Sequence, residues 1–89
     1  MTSPYEAVKR HILLKMVAHR MWQHKHMSIH NLPKGLPPHA RDMKMISDIV
    51  SALIKRGWII AKPTHYGLEV SLNVRHRDEI MAYLEQSMP

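Results

Sequence analysis

Residues 36–73, LPPHARDMKMISDIVSALIKRGWIIAKPTHYGLEVSLN, read as one helix, a glycine stop and two short strands joined by a tight loop. Pro37 and Pro38 fit a helix entry, where a missing N–H costs little. Met43, Ile46, Ile49, Val50, Leu53 and Ile54 then recur at helical spacing and define one broad apolar face. At 100° per residue, Arg41, Lys44, Asp48, Ser51 and Lys55 fall together on the opposite face. Lys55 and Arg56 occupy the last turn, where cations favour the helix C-terminus, and Gly57 is the expected left-handed terminator. Trp58-Ile59-Ile60-Ala61 supplies an apolar strand. The Pro63-Thr64-His65-Tyr66-Gly67 cluster turns the chain, and Leu68-Glu69-Val70-Ser71-Leu72 alternates apolar and polar.

The rest of the chain is small enough for a single core, so residues 1–89 are expected to form one domain. With eight Met, two Trp and no Phe, that core must be aliphatic and Met-rich. The absence of cysteine rules out a disulfide framework and any thiolate ligand or nucleophile. The first residues lack a signal-peptide pattern, and no apolar run approaches the ~20 residues of a membrane span. A soluble, cytoplasmic protein is the expectation.

Thirteen Lys and Arg against seven Asp and Glu give a formal charge of +6. Such an excess favours a polyanionic partner, because neutralising phosphates releases counterions. The excess is uneven: residues 1–38 hold six cations and one acid, residues 39–72 five and three, residues 73–89 two and three. It therefore lies mainly on the first helix.

Ser3-Pro4-Tyr5-Glu6 has the form of a capping box with proline at the first helical position. A helix is expected from there to about Gln23. Tyr5, Val8, Ile12 and Met16 form its clearest stripe, while Leu13, Leu14, Val17, Met21 and Trp22 make other sides apolar too. Such a helix packs on two sides, the second against a C-terminal helix or another subunit. Met27-Ser28-Ile29 fits a short strand. Pro33 and Gly35 limit any helix in the 28–33 stretch to a turn or two. Asn73 is a suitable N-cap for a final helix over about 74–86, with Asp78 and Glu79 in its early turns and Val74, Arg77, Ile80, Met81 and Leu84 as its stripe. Residues 86–89 are expected to fray.

This order resembles the winged helix-turn-helix superfamily of bacterial and archaeal regulators. The likeness is carried by Ile46-Ser47-Asp48-Ile49-Val50-Ser51-Ala52-Leu53-Ile54-Lys55-Arg56-Gly57-Trp58-Ile59, whose helix plus Lys-Arg-Gly-aromatic-Ile pattern recurs there. The Pro63–Gly67 loop and the Ser71-Leu72-Asn73 exit look like those of small archaeal winged-helix proteins. The resemblance implies an α+β, mostly helical fold: a three-helix core, a two-stranded wing over about 58–72 and a C-terminal helix. It implies a recognition helix over about 39–56 in a DNA major groove, with the 62–67 loop at the backbone or minor groove. Arg41, Lys44 and Lys55 would then reach phosphates or guanine, and Ser51 a base edge. Asp48 would pair with Lys44 or accept from a cytosine amino group. Lys62, His65 and Tyr66 would contact the nucleic acid from the wing. The same residues also read as an ordinary solvated helix face and an ordinary tight turn.

His19, His24, His26 and His30 are close in sequence and of a type zinc accepts. Their spacing crosses a helix end and the cluster holds no carboxylate, so helix-end and surface histidines explain them better. No metal or other cofactor is expected. No glycine-rich phosphate loop, carboxylate pair or nucleophile with a nearby base stands out, so an enzyme is not expected. The sequence thus points to a transcriptional regulator that binds double-stranded DNA, paired as a homodimer through the first and last helices. The competing reading is a winged-helix module for protein or RNA contacts.

Overall fold

The computed structural model describes residues 3–86. Among them are three α-helices and one antiparallel three-stranded sheet, so this is a small α+β domain. Helix α1 spans Pro4–Ala18, strand β1 Met27–Ser28, helix α2 Met43–Arg56, strand β2 Ile59–Thr64, strand β3 Gly67–Leu72 and helix α3 Arg77–Gln86. Short 3-10 turns stand at Ile29–Asn31, Pro38–Ala40 and Val74–His76. The sheet order is β1-β3-β2, with Met27 opposite Val70 and Ile59 opposite Leu72. Of residues 86–89, expected to fray, Gln86 is the last residue of α3, and 87–89 lie outside the described residues.

Helix α1 begins as expected: Ser3 accepts the Glu6 N–H at 3.1 Å. The reciprocal half of the capping box is replaced by a tertiary contact, since the Glu6 carboxylate accepts from the Tyr83 hydroxyl at 2.9 Å. The helix stops at Ala18, five residues short of the expected Gln23. Its end is a Schellman motif, with Met21 N–H on the Met16 carbonyl at 2.9 Å and Arg20 N–H on Val17 at 3.0 Å. Arg20 occupies the left-handed position at φ 56°, where glycine is usual. The chain then runs beside β3 in parallel, with Gln23 N–H on the Leu72 carbonyl and Leu72 N–H on Met21. Arg20→Gly is expected to raise stability by about 0.5–1 kcal/mol, because relief of the left-handed penalty exceeds glycine's extra entropy. Urea unfolding checks this, and a lower midpoint would show that the Arg20 side chain contributes more than its backbone costs.

The middle helix of the expected three-helix core is reduced to the Ile29–Asn31 turn. Pro33 removes an N–H, and side chains of α1 hold the carbonyls around it. Lys15 Nζ donates to the carbonyls of Asn31 at 2.6 Å and Lys34 at 2.8 Å. His11 Nε2 lies 3.2 Å from the carbonyls of Leu32 and Lys34, so that nitrogen carries the proton. Burial, then the neighbouring Lys34 charge, lowers the Lys15 ammonium below its usual range. Two basic groups of the first helix are thus occupied inside the fold.

Helix α2 starts four residues later than the expected position 39. Pro37 and Pro38 lead into a separate 3-10 turn, and Asp42 is the true N-cap, accepting from Lys44 N–H at 2.9 Å. Ile46, Ile49, Val50 and Leu53 are buried as the periodicity requires, whereas Met43 is exposed and Met45 packs on the core in its place. The C-terminus is a second Schellman motif, with Trp58 N–H on Leu53 at 2.9 Å, Gly57 N–H on Ile54 at 3.0 Å and Gly57 at φ 86°. Strand β3 is central and covered on both sides at its end, so Ser71 is buried rather than outward as its alternation implied.

The final helix divides into the Val74–His76 turn and α3. Asn73 accepts from Arg75 N–H at 3.0 Å and donates through Nδ2 to the Gly57 carbonyl at 2.9 Å, joining the ends of α2 and α3. Ile80 and Leu84 are buried, while Val74, expected on the same stripe, is exposed. Tyr83 links α3 to α1 and to the junction between α2 and β2: Lys9 sits 4.7 Å above its ring, and Trp58 meets it edge-on at 5.7 Å. Burial, then the Glu6 hydrogen bond, pushes the Tyr83 phenol up from 10.0 to about 12. The unfolded chain therefore loses this proton first, and the stability it supports, intact below pH 10.0, drains away as pH rises towards about 12. In an alkaline absorbance titration, a component near 12 is expected that vanishes in Tyr83→Phe. Identical titration curves for the two proteins would contradict the assignment.

Candidate nucleic-acid interface

On α2 the outward residues are set by the inward ones. Burying Ile46, Ile49, Val50 and Leu53 turns Lys44, Asp48, Ser51 and Lys55 to solvent, and all four are exposed. They share a stripe by helical spacing. Lys44 and Asp48 approach to 3.5 Å with side chains 86% and 62% exposed, so the pair is solvated and holds the two groups only loosely.

Arg41 is a correction. It lies outside the helix, between the Pro38–Ala40 turn and the Asp42 cap, and its Nε donates to the Leu36 carbonyl at 2.8 Å. Its exposed side chain therefore belongs to the segment that feeds α2, not to the stripe. The sequence signal for this was Asp42, a residue type favoured at N-caps, immediately after it.

The β2–β3 hairpin carries Lys62, His65 and Tyr66, all exposed. Lys62 lies on β2 opposite Glu69. At the tip, the Thr64 hydroxyl donates to the Gly67 carbonyl at 2.7 Å and accepts from Tyr66 N–H at 3.3 Å, closing the turn through its own side chain. Tyr66 is 94% exposed and meets His65 edge-on at 6.4 Å, so it does not fold back onto the sheet. His30 stands beside this turn, its Nε2 3.7 Å from where a side chain on Gly67 would begin. Sequence reading did not group His30 with the hairpin, because only the sheet register of β1 on β3 brings it there.

Two further exposed cations lie against aromatic rings. Arg56 stacks 4.4 Å over the Trp58 ring and Arg77 lies 5.7 Å from the Trp22 ring. The Trp58 indole donates to Glu79 at 3.2 Å, and His76 Nδ1 is 3.2 Å from the same carboxylate. These hydrogen bonds, that of His76 first, hold the Glu79 carboxyl below its usual range. The histidines of the first loop do not converge: among the described residues no group of three or more His, Cys, Asp or Glu is placed to hold a metal ion. No helix among them is long and apolar enough to cross a membrane. Compared with known protein families, curated proteins and solved structures, the chain gives no match.

Proposed function

We propose that this protein is a winged helix-turn-helix DNA-binding protein acting in transcription, with α2 as recognition helix and the β2–β3 hairpin as wing. The observation that carries the reading is the pairing of two exposed features. One is a polar stripe of Lys44, Ser51 and Lys55 on the helix that closes the core; the other is a hairpin tip with a solvent-facing Tyr66 beside Lys62 and His65. The element order and the β1-β3-β2 sheet support the layout, with the Ile29–Asn31 turn in the place of the middle helix. Lys44, Lys55 and Lys62 would engage phosphates, Ser51 a base edge, and Tyr66 the minor groove or sugar.

The test is a titration of labelled random-sequence duplex DNA by fluorescence anisotropy at two salt concentrations. Micromolar binding that falls steeply with log salt is the expected result. Absence of binding at low salt would refute the reading and favour a protein or RNA partner.

Self-association is the second element of the proposal. Leu14 is 44% exposed in the middle of α1. With Val17, Met81 and Leu84 it lines an apolar groove of 280 Å³ between α1 and α3, with Arg10 and Glu85 on its rims. A second copy would bring like apolar surfaces together across a two-fold axis. Leu14→Glu is expected to leave the chain folded and convert a dimer to a monomer by light scattering. A monomeric parent protein at high concentration would rule the dimer out.

A further inference from the structure

A cavity of 460 Å³ opens between the first two turns of α1 and the segment leading into α2. That volume falls in the range of small-molecule sites. Ala7, Val8, Leu36 and Met45 form apolar walls, and Ala40 lies across from α1. Several features keep the space open. Pro37 is extended at φ −62° and ψ 153°, so the chain does not coil before the 3-10 turn begins at Pro38. The Arg41 Nε bond to the Leu36 carbonyl ties the two ends of this segment together. Ala7 and Ala40 contribute only methyl groups where larger side chains would fill the gap.

The polar groups are His39 and Asp42. Asp42 is fixed in place because its Oδ1 accepts from the N–H groups of Lys44 and Met45. Those two bonds use one carboxylate oxygen, and the residue itself is exposed. A held anion beside an apolar cavity favours an apolar body with a positive end and disfavours one with a negative end. The overall charge of +6 acts in the opposite sense, drawing anions, so selection for a cation must be local.

We propose that this cavity binds a small amine with an aromatic or aliphatic body, the body between α1 and α2 and the ammonium at Asp42. Binding there needs no nucleic acid and is independent of the DNA-binding proposal.

The test titrates 2-phenylethylamine into the ¹⁵N-labelled full chain and follows backbone amide shifts. 2-Phenylethanol and 3-phenylpropionate, near-isosteric with neutral and anionic heads, serve as comparisons. Saturable shifts are expected at residues 7–8 and 36–45, with a roughly millimolar Kd for so few atoms. The amine should bind about 3–10-fold tighter than the alcohol, as one partly solvated ion pair allows. Ala7→Leu and Ala40→Leu each place a larger side chain in the space, and both should abolish the shifts. Asp42→Asn keeps the helix cap, since Asn caps as well as Asp, but removes the charge. In that variant the amine should weaken to the level of the alcohol while the alcohol is unchanged. The proposal is overturned if no probe gives saturable shifts up to roughly 10 mM. It is equally overturned if the shifts survive both Leu variants, or if the preference for the amine survives Asp42→Asn.

Discussion

Trp58→Ala is expected to cost about 3–5 kcal/mol, the largest loss from any single truncation in this chain. Trp58 is 2% exposed and joins four parts of the fold at once. Its backbone N–H closes the Schellman motif on Leu53, and its carbonyl accepts from Asn73 N–H at 2.9 Å. Its ring takes Arg56 on one face and Tyr83 edge-on, and its indole N–H reaches Glu79 on α3. The backbone bonds survive truncation, so the loss comes from the side chain: chiefly a cavity where α2, β2 and α3 meet, since the exposed Glu79 carboxylate keeps His76 and water as partners. Domains of this size are stable by about 5–15 kcal/mol, so the variant retains at best a fraction of that. The melting temperature should fall by roughly 20 °C or more. Trp58→Phe keeps most of the volume and removes only the donor, and should cost about 1–2 kcal/mol. The contrast separates packing from hydrogen bonding. Equal losses in the two variants would mean that the Glu79 bond, not burial, holds α3 in place.

The parts of this fold that were legible are those governed by local rules. The apolar stripe of α2, its Gly57 stop, the β2–β3 hairpin and the Asn73 cap are all dictated by neighbours in sequence. The same periodicity exposed Lys44, Asp48, Ser51 and Lys55, since a helix that buries one stripe must show the other. The illegible parts depend on distant segments of the chain. The two helix ends make the point: α1 and α2 stop with the same hydrogen-bond motif, but one has Arg20 at its left-handed position and the other has glycine. An arginine carries no local stop signal, and the chain just past Arg20 is held by a parallel bridge to Leu72, about fifty residues away. The short Ile29–Asn31 turn is likewise completed by Lys15 and His11 from another element. Arg41 fell on the wrong side of a boundary because Asp42 caps the helix behind it. The tightness of the β2–β3 turn was readable from Thr64 and Gly67, whereas the approach of His30 to it was not.

The triple variant Lys44→Ala, Lys55→Ala, Lys62→Ala should weaken duplex binding by roughly 10–100-fold at low salt and flatten the log–log salt slope by roughly 2–3. All three side chains are exposed, so stability should move by no more than about 0.5 kcal/mol per site. Loss of charge alone would also weaken binding, which calls for a matched control. Lys25→Ala, Lys34→Ala, Arg75→Ala likewise removes three exposed cations, and both variants fall from +6 to +3. A long-range field effect would be the same in both and would be screened within about 10 Å at 0.1 M salt. Direct phosphate contacts would not, and only the first variant should then lose slope. Equal weakening of the two variants would refute α2 and the hairpin as the interface while leaving charge-driven binding intact. Asp48 supplies a test of opposite sign. It stands in the same stripe, 3.5 Å from Lys44. If that stripe faces phosphate, Asp48→Asn removes a repulsion and frees Lys44, and affinity should rise severalfold. If Asp48 instead accepts from a base, the same change weakens the preferred sequence and spares random DNA. A gain on random duplex together with a loss of slope in the lysine variant would fix the orientation of α2 on the nucleic acid from two surface variants of opposite charge.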